Sequence, residues 1–370
     1  MPVCLIVADD LTGACDAAVH FAMRGHRTVV SLDGRVDAGG ADALAISTES
    51  RCEWPVGRRK RLPHNTGSTA YGGCGTGASL LFKKIDSTLR GYPGAEIASA
   101  AEATGCECAV ITPAFPAMGR TVQAGVLRVA GGGFDPIDLP AYWREHGLCG
   151  CANVAPSGVA DALATGARFL SVDATCDSDL DAIAAAGLAS TRRILWAGSA
   201  GLASALARAI APGPHREAAP AERYRTVLFC IGSDHPVTTE QQRELAAARP
   251  VTAVNAEVAE PERIAEALQS GVHVSLQVPY GRVAPEHIRQ LIGDWRGPLV
   301  LSGGATAALV CGALGVREIR LHREIAPGIP RGAIAGGVFD GAPIVTKSGG
   351  FGKPRALVQI VDELTCPTSF

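Results

Sequence analysis

The sequence predicts an α/β fold with two domains, each built around a mostly parallel sheet. Short apolar runs alternate with alanine-rich amphipathic segments along the chain, the pattern of repeated β-α units. The alternation stops once, at 211–223, a stretch with three prolines and no apolar period. A chain of 370 residues with 47% hydrophobic content can also bury two cores. We therefore predict a first domain at 1–212, a linker at 213–223 and a second domain at 224–370.

Apolar runs and amphipathic segments place the individual elements. In the first domain they predict strands near 3–8, 27–32, 43–47, 80–85, 108–113, 168–172 and 193–198, with helices near 13–24, 93–104, 177–187 and 200–210. In the second domain the strands are expected within TVLFCIG, VTAVNA, VHVSLQV and PLVLSGG. Helices are expected to start at Pro236 and to lie near 261–270, 285–295 and 305–314.

Composition and charge exclude several classes of protein. The net charge is −2 and no basic run is dense enough to follow a nucleic-acid backbone, so nucleic-acid binding is not expected. No window approaches 18 uninterrupted apolar residues, and the N-terminus lacks a cationic region followed by an apolar stretch. These patterns favour a cytoplasmic protein without a membrane partner.

The twelve cysteines do not form a metal-site pattern. No CxxC pair occurs, and the nearest pairs, Cys106 with Cys108 and Cys149 with Cys151, lack a second pair at zinc-site spacing. We interpret them as free thiols that serve as small apolar side chains.

Two adjacent carboxylates end the first predicted strand. In ADDLTGACD (8–16), Asp9 and Asp10 follow the apolar run directly. In open α/β sheets, ligands bind at the carboxyl ends of the strands. Thr12 is placed to cap the next helix, and a carboxylate here could accept a proton from a hydroxyl, hold a sugar hydroxyl or bind a metal ion. The alternative is that Asp10 caps the helix and Asp9 is solvated.

A second polar cluster follows the strand near 80–85. In KKIDSTLRGYPGAE (83–96), cationic, acidic and hydroxyl groups stand together at a strand end: Lys84, Asp86, Ser87, Thr88 and Arg90. Arginine and lysine suit a carboxylate, whereas aspartate and hydroxyl groups suit sugar hydroxyls. This mixture predicts a polyhydroxy acid as ligand. The alternative is a surface loop held by an Asp–Arg pair.

Three glycine turns next to predicted strands characterise the second domain: CIGSDHPVTTEQ (230–241), LSGGATAALV (301–310) and TKSGGFG (346–352). Glycine lets backbone N–H groups approach phosphate oxygens, and the first two turns lead into helix N-termini. Together with Lys347, they predict a nucleotide-phosphate site.

One glycine-rich stretch does not fit a phosphate-binding loop. GGCGTGAS (72–79) spaces its outer glycines like a Walker loop, but Ala78 stands where the lysine is required. We interpret this stretch as a flexible loop.

With these motifs the chain resembles the four-carbon acid sugar kinases, a family with an N-terminal substrate domain and a C-terminal nucleotide-binding domain. The resemblance runs nearly end to end, through ADDLTGACD, KKIDSTLRG, TPAFPAMGR, WAGSAGLA, IGSDHPVT, SGGATA, APGIPRG and TKSGGFG in that order. It implies ATP-dependent phosphorylation of a terminal hydroxyl on an acid such as threonate, erythronate or a 3-oxo-tetronate, with Mg²⁺.

The resemblance also implies two sets of site residues. The acid-sugar set is Asp10, Thr12, Lys84, Asp86, Ser87, Arg90 and Arg120. From the residues themselves we add Asp9, and we take Asp10 as the first choice and Asp86 as the second choice for the catalytic base. The ATP set is Ser233, Ser302, Gly303, Gly304, Thr306, Gly349 and Gly350, to which we add Lys347 from the third glycine turn. The family usually carries an acidic residue in the SGG turn, where this chain has Ala305, so the metal ligands are left unassigned.

Two other classes of function stay open from the residues alone. A sugar-acid isomerase, aldolase or dehydrogenase could use the Asp/Lys/Arg cluster, although the first β-α turn lacks the G-x-G-x-x-G of dinucleotide sites. A non-catalytic sugar-acid sensor would fit the composition but gives no reason for the paired aspartates. The sequence also leaves open whether the chain is a homo-oligomer.

Overall fold

The computed structural model divides the chain into two compact units, Met1–Arg216 and Glu217–Phe370. It describes residues 2–34, 40–51, 78–131, 133–214 and 223–365. Residues 72–77 of the glycine-rich stretch GGCGTGAS and most of the expected linker lie outside the described residues. Both units are α/β, which confirms the predicted fold class. In the described part of the chain, no helix combines the length and apolar character needed to cross a membrane.

The first unit contains eleven strands and six α-helices among its described residues. The strands are Cys4–Ala8 (β1), Thr28–Ser31 (β2), Ala43–Ser47 (β3), Leu80–Lys84 (β4), Cys108–Thr112 (β5), Arg120–Gln123 (β6), Val126–Val129 (β7), Ile137–Asp138 (β8), Ala152–Val154 (β9), Phe169–Val172 (β10) and Ile194–Gly198 (β11). The helices are Leu11–Met23 (α1), Pro93–Thr104 (α2), Leu139–Glu145 (α3), Val159–Ala164 (α4), Asp177–Leu188 (α5) and Ala200–Ala209 (α6).

The main sheet of this unit is parallel, with strand order β2-β3-β1-β4-β11-β5-β10-β9. Strands β1, β4, β5 and β11 are buried along their whole length, as expected for a sheet covered by helices on both faces. After β1 the chain builds one side of the sheet with β2 and β3, and then crosses to β4 on the other side. The carboxyl end of β1 is therefore a topological switch point, where α/β sheets bind ligands.

A small antiparallel sheet of β6, β7 and β8 was not predicted. Its strands have two to four residues, too few to show a clear alternation in the sequence.

The second unit contains seven strands and five α-helices in the part that the structure describes. The strands are Leu228–Ile231 (β12), Val251–Asn255 (β13), His273–Gln277 (β14), Leu299–Ser302 (β15), Glu318–Ala326 (β16), Ile329–Ala335 (β17) and Pro343–Lys347 (β18). The helices are Pro236–Ala248 (α7), Pro261–Gln269 (α8), Pro285–Ile292 (α9), Gly304–Ala313 (α10) and Ala356–Leu364 (α11).

The strands of this unit follow the order β13-β14-β12-β15-β18-β17-β16, and only β17 runs against the others, because it is antiparallel to both of its neighbours, β18 and β16. Its core includes Phe229, Val300 and Val345 on neighbouring strands, with α11 packed against them. The chain builds β13 and β14 on one side of β12 and then crosses to β15 on the other. The carboxyl end of β12 is the switch point of this sheet.

Candidate functional site

The two adjacent aspartates at the end of β1 have different roles. Asp10 is the N-cap of α1: its Oδ1 accepts from the Gly13 N–H at 2.7 Å, and its Oδ2 accepts from the Thr12 hydroxyl at 3.0 Å. The expectation that Thr12 caps this helix is therefore wrong, because the helix already begins at Leu11 and Thr12 lies inside its first turn. Asp9 is not solvated, since only 3% of it is exposed.

Arg51 is the cation that allows these carboxylates to be buried together. Its guanidinium donates to both oxygens of Asp9, at 2.6 and 2.8 Å, and to Asp10 Oδ2 at 2.8 Å. It also lies 3.3 Å from Asp86 Oδ1. Burial raises the pKa of Asp9, but the charge and hydrogen bonds of Arg51 outweigh it and hold that pKa below its ordinary value. Sequence reasoning missed Arg51.

Sheet register explains why Arg51 is in this position. Strand β3 pairs with β1 so that Ser47 stands opposite Ala8, and both strands end at this point. The backbone then continues past the end of β3, and the Arg51 N–H donates to the carbonyl of Asp9 at 3.2 Å. An arginine four residues beyond the end of the neighbouring strand was the available signal.

Asp86, in the turn after β4, is the most heavily bonded carboxylate of the cluster. It accepts from Arg90 Nε at 2.9 Å and from Arg90 Nη2 at 2.7 Å, and it also accepts from the Thr88 hydroxyl. Burial acts to raise the pKa of Asp86, but the charge of Arg51 and the Arg90 contacts hold it well below the ordinary value. The Asp–Arg pair that we considered as the structural alternative is therefore present.

Lys84 and Gly13 pack close to the Asp10 side chain. The Lys84 side chain is buried, and its Nζ donates to the Ile85 carbonyl at 2.8 Å. A Cβ added to Gly13 would lie 2.5 Å from Asp10 Oδ1 and 3.2 Å from Lys84 Nζ. Only glycine fits at this position while the cap and the ammonium keep their places.

Ser87 and Arg120 complete the predicted acid-sugar set. Ser87 is buried in the turn after Asp86. Arg120 begins β6 and donates to the Met118 carbonyl. Burial lowers the pKa of Arg120 and the charge of Asp86 acts in the opposite direction, so the two side chains lie within electrostatic reach of each other.

Glu49, which sequence reasoning also missed, lies two residues before Arg51. Its backbone is in the left-handed region, with φ of 50°, which is unusual for a residue other than glycine. Its Oε1 accepts from the Ser47 hydroxyl at 2.5 Å. Burial, with the charges of Asp10 and Asp9, raises the pKa of Glu49 to about 8. A carboxyl group that holds its proton near neutral pH therefore borders the cluster.

In the second unit, the three glycine turns follow three adjacent strands. Ile231 at the end of β12 stands opposite Ser302 at the end of β15, which in turn stands opposite Lys347 at the end of β18. A Cβ on Gly349 would lie 2.0 Å from Ser233 Oγ, so the first and third turns touch where only glycine fits. The sequence-predicted nucleotide residues therefore come together.

Two helices start at these turns. Helix α10 begins at Gly304, after Gly303 with φ of +105°, and helix α7 begins at Pro236. A Cβ on Gly232 would lie 2.0 Å from Thr306 Oγ1, so the first turn packs tightly against the start of α10. Helix N-termini with close glycine backbones are suited to phosphate groups.

Lys347 has a structural role in the third turn. Its side chain is fully buried and its Nζ donates to the carbonyls of Ser348, Gly349 and Phe351 at 3.0, 3.2 and 3.1 Å. Burial lowers the pKa of Lys347 to about 7. A direct phosphate contact, as the sequence suggested, would require one of these hydrogen bonds to break. In the structure Lys347 folds the turn that contains Gly349 and Gly350.

Comparison with known proteins identifies both units. A family described as "Sugar-binding N-terminal domain" matches residues 4–146 and 150–206, and one described as "Nucleotide-binding C-terminal domain" matches residues 280–357. A D-threonate kinase of Bordetella bronchiseptica is 34% identical over 96% of this chain and 95% of its own length. The chain belongs to the four-carbon acid sugar kinase family.

Other relatives in this family act on different acids. A D-erythronate kinase of Heliobacterium modesticaldum is 27% identical over 97% of this chain and 96% of its own length. A 3-oxo-tetronate kinase of Brucella melitensis is 27% identical over 94% of this chain and 92% of its own length. The family therefore includes more than one substrate specificity.

Solved structures show the same fold. A protein of Salmonella typhimurium LT2 has a TM-score of 0.75 at 21% identity, covering 99% of this chain and 100% of that one. A Haemophilus influenzae protein has a TM-score of 0.67 at 22% identity, covering 96% and 98%. At this identity the likeness concerns the fold alone.

Proposed function

We propose that this protein is an ATP-dependent kinase that phosphorylates the terminal hydroxyl of a four-carbon sugar acid, with D-threonate as the first candidate. The observation that carries the proposal is the cluster of Asp9, Asp10 and Asp86 around Arg51, in the part of the chain that matches the sugar-binding family. The choice of D-threonate follows the relative at 34% identity. A cytoplasmic location would give such an enzyme access to ATP.

The charges of the cluster suit a polyhydroxy acid. Carboxylate oxygens accept hydrogen bonds from sugar hydroxyls, and cations bind the carboxylate of the acid. Arg90 has 65% of its side chain exposed and uses two of its five N–H donors on Asp86. We propose that Arg90, with Lys84 and Arg120, binds the substrate carboxylate.

Asp10 is the proposed proton acceptor. Asp86 is poorly suited to this role, because Arg51 and Arg90 stabilise its ionised form and hold its pKa well below the ordinary value. Asp10 lies on the ligand side of the sheet and contacts Arg51 with only one of its oxygens. In a loose phosphoryl-transfer transition state the hydroxyl proton leaves late, so orientation of the hydroxyl matters more than basicity.

ATP is proposed to bind at the three glycine turns of the second unit. The site fits a polyphosphate, because Gly303 has a φ of +105°, a Cβ on Gly349 would meet Ser233 Oγ, and two helices begin at these turns. When bound, ATP supplies the phosphoryl group and Mg²⁺ neutralises its charge. At position 305 this chain has alanine in place of the acidic residue that is usual in this family. Of the two carboxylates in these three segments, Glu240 lies inside helix α7, and Asp234, which precedes the helix, is our candidate metal ligand.

The test is a coupled ADP-release assay with Mg²⁺–ATP over D-threonate, L-threonate, D-erythronate and the 3-oxo-tetronates. We expect ADP release that depends on one of these acids, and an increase in melting temperature with ADP and Mg²⁺ but not with NAD. Stabilisation by an acid alone, without ADP release, would indicate a sensor. Stabilisation by NAD would indicate a dehydrogenase.

A further inference from the structure

A buried ion pair lies behind the acid-sugar cluster. Lys83 Nζ on β4 is 2.9 Å from Glu96 Oε2 in the first turn of α2, and their side chains are only 3% and 4% exposed. Neither residue belongs to the site predicted from the sequence. Lys83 follows the alternation of β4, so its side chain points to the face of the sheet opposite to that of Lys84.

The second oxygen of Glu96 reaches the segment that carries Arg51. Glu96 Oε1 accepts from the hydroxyl of Ser50, the residue directly before Arg51. The Ser50 hydroxyl also lies 2.9 Å from that of Thr48, which donates to the Ala8 carbonyl at 2.9 Å. A continuous chain of polar contacts therefore joins α2 and β4 to the backbone at Arg51.

Stability alone does not explain this ion pair. Removing two charges from water costs about as much free energy as their attraction returns, and replacing a buried ion pair by apolar residues of similar volume is often neutral or stabilising. A directional pair does, however, fix the position of the group that it contacts. Here that group is Ser50.

We propose that Lys83 and Glu96 are positioning residues: through Ser50 they fix the backbone at Arg51 and so direct its guanidinium at Asp9 and Asp10. The assignment of this cluster to the substrate rests on the proposed function. The geometry of the positioning does not depend on it.

Lys83 could also act on the site directly. Burial raises the pKa of Asp9, while Arg51 and then Lys83 and Lys84 lower it, so the Lys83 charge helps to keep Asp9 ionised. Two substitutions separate the two effects. Glu96→Gln keeps the Lys83 charge and keeps an acceptor for Ser50, whereas Lys83→Met with Glu96→Leu removes the ion pair and the acceptor together.

The experiment compares the wild type, Glu96→Gln and Lys83→Met/Glu96→Leu in acid-dependent ADP release, thermal melting and crystal structure. Because a misplacement of about 1 Å can cost up to about 10²-fold in rate, we expect kcat of the double variant to fall about 10- to 100-fold, with the KM for ATP within about twofold and the melting temperature equal or higher. The kcat of Glu96→Gln should lie between that of the wild type and that of the double variant.

The matched control is Asp181→Asn/Arg208→Gln, which removes an exposed ion pair of 2.6 Å in the same unit and should change none of these quantities. In the crystal structure of the double variant, the 2.6 Å contact between Arg51 and Asp9 should be lost or displaced. Unchanged kcat with an unmoved Arg51 would overturn the proposal. Should the double variant fail to fold, Ser50→Ala tests the same step, with a smaller fall in kcat expected. An inactive wild type would refute the proposed function. The position of Arg51 in the double variant would still show whether Lys83 and Glu96 hold it in place.

Discussion

Replacing Arg51 by methionine tests whether one guanidinium makes the carboxylate cluster stable. The Arg51 side chain is 13% exposed, and the side chains of its partners Asp9, Asp10 and Asp86 are 4%, 5% and 8% exposed. Arg51→Met leaves three buried carboxylates without the cation between them. Removing one partner of a buried pair costs about 3–5 kcal/mol, and we expect the lower end of this range because Arg90 still contacts Asp86.

The loss should depend on pH in a definite direction. In the wild type, Arg51 lowers the pKa of Asp9 and Asp86, so this stabilisation is fully present above their ordinary value near 3.8 and is lost as the pH falls through the lower values of the folded state. In the variant, burial without Arg51 acts to raise these pKa values. The variant therefore gains stability as the pH falls from 7 towards 5, and its difference from the wild type shrinks.

Urea unfolding at pH 5 and pH 7 measures this effect. Arg208→Met is the control, because its partner Asp181 is half exposed and loss of that pair should cost less than about 1 kcal/mol. A loss below about 1 kcal/mol for Arg51→Met at pH 7, or an equal loss at both pH values, would refute the argument that Arg51 neutralises the cluster.

Three further predictions concern other parts of the site. Asp10→Asn should lower kcat by about 10²-fold, because it removes the proposed proton acceptor. It should also lower the melting temperature, because an amide N–H₂ would face the guanidinium of Arg51. An unchanged kcat in ADP release would place the base elsewhere. Glu49→Gln should flatten the pH dependence of the free energy of unfolding between about pH 4.5 and pH 8. The raised pKa of Glu49 means that the folded chain holds a proton that the unfolded chain releases, so wild-type stability falls as the pH rises. The same pH dependence for both proteins in urea unfolding would contradict this. Gly349→Ala should weaken ADP binding, measured by calorimetry, at least about tenfold, because the added Cβ would meet Ser233 Oγ. Gly312→Ala is the control: its Cβ would enter open space, so this variant should bind ADP as the wild type does.

The sequence predicted the strand ends that carry the polar clusters because buried parallel strands are short apolar runs with a clear end. Asp9, Asp10 and Asp86 were found in this way. Arg51 was missed because it lies in a polar stretch with no periodicity, and only the register of β3 against β1 brings it to Asp9. A contact between distant segments of the chain has no local signal.

The second unit shows the same limit. The glycine turns were predicted one by one, but their convergence depends on β12, β15 and β18 being neighbours, which the order of elements in the sequence does not determine. The antiparallel pair β16-β17 was missed, since a bulge between Leu321 and Arg323 breaks the alternation of its side chains. Lys347 was expected to face phosphate because its burial could not be foreseen from the sequence.

The shared use of Asp10 as helix cap and cluster carboxylate turns one backbone amide into a reporter. The Gly13 N–H donates to Asp10 Oδ1, while Oδ2 faces Arg51 and Thr12. Any ligand that donates a hydrogen bond to Asp10, or any proton that Asp10 gains, changes the charge on the acceptor of this amide. The ¹⁵N–¹H resonance of Gly13, in the glycine region of the spectrum, would therefore follow occupancy and protonation at the cluster without any label placed in the site.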